Sequence, residues 1–276
     1  LRPVIKRPPF GEYLTALWRR RRFITAFAVA KVHAEHSRNR LGQWWQVLDP
    51  VFTMAIYWFL FGVLLGGRGS VVNYVGFLAV GVFAFALIRQ SINAGARSIS
   101  GNIGLVRAIH FPRAALPVSA VLKQLRVFLV AFPIMIAILL LTREPLTLQW
   151  LLAVPAVLLM VLFSAGCALV AARAVAGVQD VGEVLPYFLR IWGYASGVMI
   201  PIADKFRSLD LPTPLIVASE INPGAVYLNI MRDALMGTYD APLGAWNWLA
   251  AALWALVAAV FGIWFFWRAE ATYGRG

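Results

Sequence analysis

At 276 residues, 61% hydrophobic and 13% charged, the chain carries far fewer charges than the roughly 25% of a soluble domain, which excludes a water-soluble globular fold. The net charge of +13 does not point to nucleic acid, because no basic stripe is interleaved with base-stacking aromatics, and a membrane protein gathers Lys and Arg on its cytoplasmic loops. A single cysteine, Cys167, lies inside an apolar run and excludes an intrachain disulfide framework.

The chain begins with a basic segment, 1–45. Phe10, Leu14, Leu17 and Trp18 share one helical face there, and the run Arg19–Arg22 is followed by Phe23 and Phe27. A basic amphipathic helix of this kind lies in the headgroup plane against anionic lipid. Leu14, Leu17, Trp18 and Arg19 are its expected interface residues. No secretory signal is visible, and Leu1, not being a methionine, points to a natural start upstream.

A bilayer core of about 30 Å needs about 20 apolar helical residues to cross it. Six stretches qualify, near 47–67, 71–89, 121–141, 150–172, 184–202 and 245–267. None alternates with period two over ten residues, so an all-α membrane bundle is expected rather than a barrel, as one transmembrane domain over 1–276. Asp49 stands where it would cap the first span. Gly62-x-x-x-Gly66 and Gly193-x-x-x-Gly197 have the spacing that lets helix backbones approach. Between the fifth and sixth spans lies a long segment, 203–244. Asn222, Pro223 and Gly237 predict a helix from about 223 to 236. The apolar piece 211–218 is too short to span, so short re-entrant helices forming an outer lid are expected.

Eighteen of the 25 Lys and Arg residues fall on the side of the termini and the 89–124 loop, and five on the other, with Arg126 and Arg190 inside spans. The asymmetry puts both termini and that loop in the cytoplasm of a multi-pass protein. Arg190 lies one to two turns into the fifth span, where a charge faces a partner or a water-filled cavity, or else snorkels to the interface.

Catalytic patterns are missing from the sequence. No G-x-x-x-x-G-K-[ST] precedes any of its lysines, so nucleotide phosphates have no cradle here. His33 and His36 flank Glu35, which reads as polar helix surface rather than a metal site. Asp180 and Glu183 read as solvated loop charges. The first and fifth spans are the most aromatic, with Tyr57, Trp58 and Phe61 on one and Tyr187, Trp192 and Tyr194 on the other. These rings are either lipid-facing bulk or a lining on which sugar faces stack.

RNRLGQWWQVLDP (38–50) resembles the start of the first span in type-2 ABC exporter permeases. GNIGLVRAIHFPRAALPVSAVL (101–122) resembles the cytoplasmic loop of that family's polysaccharide branch, and INPGAVYLNIMRDALMG (221–237) the stretch before its last span. The resemblance implies a six-span exporter fold with a bacterial cytoplasmic-membrane location. It implies a homodimer whose first and fifth spans line a channel, with Tyr57, Trp58, Phe61, Tyr187, Arg190, Trp192 and Tyr194 as candidate lining. Two copies of a separate ATPase subunit would hold ATP and Mg, the chain itself binding no cofactor. They would press on a coupling loop, 93–117, through Asn102, Leu105, Arg107, His110, Phe111, Pro112 and Arg113. The implied cargo is a polysaccharide, commonly lipid-linked: O-antigen, teichoic acid, capsule or cell-wall galactan. A drug or small-lipid permease is the alternative within that class. An ion-coupled transporter or a membrane-embedded enzyme would need midplane acids or a nucleophile–base pair, and the spans hold neither.

Overall fold

Long apolar runs satisfy their backbone in an apolar surrounding by bonding within each segment. The computed structural model describes residues 9–36, 44–64, 71–108 and 111–270, which form helices and no strand. In chain order they are α1 (Phe10–Arg19), α2 (Arg21–His36), α3 (Trp44–Tyr57), α4 (Tyr74–Ala96), α5 (Ile103–Ala108), α6 (Ala115–Leu141), α7 (Ala153–Gly177), α8 (Val181–Ala195), α9 (Ile202–Ser208), α10 (Thr213–Ile221), α11 (Pro223–Leu235) and α12 (Trp246–Arg268). A π-helical stretch, Trp58–Leu64, continues α3, and a 3₁₀ turn, Leu148–Leu152, leads into α7. Leu41, Gly42, Gly66 and His110 lie outside the described residues, as do the side chains of His33, His36 and Trp44.

Among the described residues, four helices are long and apolar enough to cross a membrane: Tyr74–Ala96, Ala115–Leu141, Leu148–Gly177 and Trp246–Arg268. The two other expected spans are shorter or less regular. The first is helical from Trp44 to Leu64, partly as the π-helical stretch. The fifth, expected over 184–202, is α8, whose 15 residues make about 22 Å of helix. It stops because Gly197, at φ 76°, turns the chain left-handed, a conformation that glycine adopts without steric cost.

Other boundaries differ from the sequence reading. Asp49 does not cap α3, which begins earlier at Trp44. Arg89, expected in a loop, lies within α4, which runs on to Ala96. Lys123 lies within α6. The basic amphipathic segment breaks at Arg20 into α1 and α2. Its apolar face buries Tyr13 and leaves Trp18 69% exposed.

One of the four long helices takes the centre. α4 is buried along most of its length and packs against α3, α6, α7, α8 and α11. α11 starts at Pro223, with Asn222 as its cap, as the sequence predicts. It is no outer lid, however, since nearly every residue from Gly224 to Leu235 is buried against α4, α7 and α12. α9 and α10 pack on each other beside it.

The closest backbone approach is between α7 and α12. A Cβ on Gly166 would lie 2.2 Å from the backbone of Ala258, and one on Gly262 would lie 2.3 Å from the Gly166 carbonyl oxygen. Small residues thus do bring two helices together, here at Gly166 and Gly262, while Gly66 of the first expected pair lies outside the described residues. Gly193 packs against the Phe85 ring, and Gly197 lies past the helix end. A second, smaller apolar core gathers Tyr13, Ile99, Val106, Ala114, Leu116, Leu169 and Phe266. It lies where α1, the 97–114 loop and the C-terminal end of α12 meet.

Candidate functional site

Two regions collect the residues that the sequence singles out. The first is a cleft between α3, α4 and α8. Asp49, Thr53 and Tyr57 line it from α3, Phe85, Ala86 and Arg89 from α4, and Arg190, Gly193 and Tyr194 from α8. Tyr57 faces Tyr194, with Arg89 and Arg190 in electrostatic reach of its hydroxyl. The π-helical stretch directly follows Tyr57. Three of the seven candidate lining residues, Tyr57, Arg190 and Tyr194, therefore share one cleft. The sequence reading missed its other charges, Asp49 and Arg89. They lie far apart in the chain, and only the pairing of α3 with α4 joins them.

The remaining candidates face elsewhere. Tyr187 is 66% exposed, beside Phe188 and Ile191 on the outer face of α8, and Trp58 is exposed at the start of the π-helical stretch. Phe61 packs on the main core. Trp192 points to the opposite side of α8 from the cleft floor. Its ring meets Phe85 edge-on at 5.4 Å and tilts against Phe163 at 6.3 Å. On that side an apolar groove of about 510 Å³ runs between α7, α8 and α12, lined by Phe163, Cys167, Leu185, Phe188, Trp192 and Phe261 among others.

The broken end of α8 needs donors for its carbonyls, because no water replaces them in an apolar surrounding. The stretch 221–237 supplies these donors. The Asn222 amide donates to the Ala195 carbonyl and to Ser196 Oγ, both at 3.2 Å. Its Oδ1 accepts from Trp192 Nε1 at 2.8 Å and from the Gly224 N–H at 3.1 Å. Arg232 is 1% exposed. Its Nη2 donates to the carbonyls of Gly197 at 3.0 Å and of Phe77 and Val198 at 3.3 Å. Its guanidinium lies 3.4 Å over the Phe77 ring. A side chain on Gly81 would collide with both, its Cβ 2.6 Å from Arg232 Nη2 and 2.7 Å from the Val198 carbonyl oxygen. Glycine at 81 is thus required by a close approach.

The second region is the 97–114 loop, at the other end of α8. Arg97 donates to the Gly182 carbonyl at 3.0 Å and pairs with Glu183 at 3.4 Å, so the start of α8 rests on this loop. Of the expected coupling residues, Arg107 is exposed on α5, together with Ile103 and Gly104. Asn102 turns inward, donating to the Ser98 carbonyl at 2.7 Å. Leu105 and Phe111 pack on the small core, Phe111 beside Phe23 with ring centres 5.6 Å apart. Pro112 is half-buried.

Arg113 is held by its own chain. Its N–H donates to Glu270 Oε1 at 3.0 Å, and its guanidinium to the Glu270 carbonyl oxygen. Glu270 Oε2 accepts from the Tyr13 hydroxyl at 2.8 Å. Burial pushes the Glu270 carboxyl above its ordinary range, against the downward pull of the Arg113 N–H, the Tyr13 hydroxyl and the Arg113 charge. Sequence reasoning missed Tyr13 and Glu270. An acid just past a span, on the basic side of the charge count, was the available signal. On α1, Leu17 packs on the small core. Leu14, Trp18 and Arg19 face outward, and Arg21 lies 5.2 Å over the Trp18 ring.

A model of the family described as ABC-2 type transporter matches residues 27–236. That range takes in the cleft, the loop and the 221–237 stretch up to Met236. Among curated proteins, the chain is 25% identical over 223 residues to the O-antigen export system permease protein RfbA of Myxococcus xanthus, covering 79% of this chain and 85% of that one. It is 23% and 24% identical to two proteins of the same name from Klebsiella pneumoniae. The first alignment covers 65% of this chain and 70% of the relative, and the second 63% and 68%.

Proposed function

Since the chain belongs to the ABC-2 type transporter family, we propose that it is the membrane permease of an ATP-driven exporter carrying a polysaccharide, in lipid-linked form, across a bacterial cytoplasmic membrane. The observation that carries the substrate class is the likeness to O-antigen export permeases along most of the chain. A drug or small-lipid permease is disfavoured on the same ground.

In this reading six segments cross the membrane: the four long helices, α3 with its π-helical continuation, and α8. The excess of Lys and Arg supports a cytoplasmic side that holds both termini and the 97–114 loop. Two copies of the chain pair so that α3 and α8 of each line the passage. The exposed aromatics of both helices and the cleft between them, which carries Asp49, Arg89 and Arg190, support that assignment. Tyr57 and Tyr194 offer faces for sugar rings, while Asp49, Arg89 and Arg190 offer hydrogen bonds to hydroxyls. The sequence has no P-loop, so ATP and Mg belong to a separate ATPase subunit, present in two copies. That subunit presses on α5, whose Ile103, Gly104 and Arg107 are exposed.

Isolation of the tagged chain from native membranes in mild detergent tests the reading. A P-loop ATPase is expected to co-purify in stoichiometric amount and to turn over ATP, and Arg107→Glu is expected to release it. A chain that comes out alone, with no ATP turnover, overturns the reading.

A further inference from the structure

We infer that Glu270 is a positioning residue that makes the N-terminal helix, the coupling loop and the last long helix move as one body. The inference rests on the reading of 97–114 as the loop that faces the ATPase. Glu270 lies just past the end of α12 and is 9% exposed. Its carboxylate is shared between two segments far apart in sequence. One oxygen accepts from the Tyr13 hydroxyl of α1 at 2.8 Å, the other from the Arg113 N–H at the loop's end at 3.0 Å. The Tyr13 hydroxyl in turn accepts from the Ala114 N–H at 3.1 Å. A ring results, closed by these three hydrogen bonds and the Arg113–Ala114 peptide bond, running Glu270, Tyr13, Ala114, Arg113 and back to Glu270.

The ring is dry. Tyr13 is 2% exposed and Ala114 and Phe266 0%, and Leu116, Leu169 and Ala172 complete the apolar shell. In such a shell a lost partner is not replaced by water, so the groups hold their relative positions. The consequence is mechanical. A push on α5 reaches α6 through the chain itself, but it reaches α1 and α12 only through contacts. The ring is a directional part of those contacts, beside the bond from the Arg113 guanidinium to the Glu270 carbonyl oxygen. From α12 the displacement passes to α7, against which α12 lies backbone to backbone at Gly166 and Gly262. Arg113 thereby acts within this chain, while Arg107 is exposed on α5, where a partner can reach it.

The test uses the permease with its co-purifying ATPase, in Tyr13→Phe, in Glu270→Ala and in the double variant. Tyr13→Phe removes one hydroxyl and keeps the ring that fills the small core. Two quantities are read: ATP turnover of the purified complex, and periodate-oxidisable carbohydrate on intact host cells that carry the variant as their only copy. The expected result is wild-type ATPase stoichiometry with surface carbohydrate per ATP turnover lowered by about tenfold in each single variant, the order expected from one lost charge-assisted hydrogen bond. The double variant loses no more than the singles. Arg107→Glu, by contrast, loses the ATPase itself. Unchanged carbohydrate per turnover in Tyr13→Phe overturns the inference, and so do independent, multiplying losses in the double variant. A Glu270→Ala chain that fails to accumulate leaves the decision to Tyr13→Phe, supported by hydrogen–deuterium exchange. Joint acceleration across 10–19 and 111–118 is expected there, and unchanged exchange in both overturns the ring. Absence of any ATPase with the wild-type chain sinks the transporter reading, and the inference falls with it.

Discussion

Arg232 illustrates how one buried charge is held without a carboxylate. Three carbonyls and the face of Phe77 surround it, so it replaces the water that would otherwise solvate the broken end of α8. Removing the guanidinium strips donors from buried carbonyls, at about 1–3 kcal/mol for each group left unsatisfied. Arg232→Ala is therefore expected to lower the thermal midpoint in detergent sharply. Arg232→Lys is expected to restore little, because an ammonium lacks the planar fork that both stacks and donates. Full recovery with lysine would mean that charge alone is required. Glu270 makes a different prediction. Its carboxyl is raised on folding by burial, against the opposing pull of Arg113 and Tyr13. A carboxyl raised in this way binds its proton more tightly in the folded chain. Its stabilising contribution is thus full below the ordinary glutamate value and is lost as pH rises through the raised one. The thermal midpoint should fall over that window in wild type and fall less in Glu270→Gln. Equal slopes would remove Glu270 as the source.

Helices α7 and α12 meet through what they lack. Gly166 and Gly262 have no room for a methyl group, their added Cβ atoms falling within 2.3 Å of opposing backbone. A side chain there must push two backbones apart, and overpacking of this kind costs about 1–3 kcal/mol. Gly166→Ala and Gly262→Ala are each expected to lower the thermal midpoint. Gly104→Ala on α5, where nothing lies within 4 Å, is expected to leave it unchanged or raise it slightly, since alanine favours the helix. If all three behave alike, the contact does not govern stability. α8 is a helix of another kind. Its start is held by Arg97 and its end by Asn222 and Arg232, so both termini are fixed while its outer face stays exposed. Such a helix keeps its place and presents side chains.

At the scale of the whole molecule, the proposed transport role falls to one face of α8 and a structural role to the other. Trp192 faces inward, against Phe85, Phe163 and Asn222. Trp192→Ala is expected to lose about 2 kcal/mol or more of stability, in line with other large-to-small changes in packed sites. Tyr57 and Tyr194 line the cleft that holds Asp49, Arg89 and Arg190. Their alanine variants are expected to assemble with the ATPase normally and to export less, measured as surface carbohydrate on intact cells. Loss of assembly in the tyrosine variants, or normal stability in Trp192→Ala, would reverse the assignment. The smaller apolar core works at the same scale, joining α1, the 97–114 loop and α12 where, in the proposed reading, the ATPase presses.

The sequence by itself determined the helical membrane class, the apolar segments, the start of α11 at Pro223 and the family, through the order and spacing of three motifs. These are local properties: an apolar run of a given length, a cap beside a proline, a loop with two prolines. It did not reveal that α8 ends at Ala195, that α11 is buried, that the close helix contact is at Gly166 and Gly262, or that Arg113 belongs to Glu270. Each of these is a pairing between residues far apart in the chain. Tyr13 and Glu270 are separated by 257 positions and joined by one 2.8 Å bond, and no periodicity in one dimension encodes which buried donor meets which acceptor. Packing decides that, because in an apolar interior each polar group must find a partner among whatever the fold brings within reach.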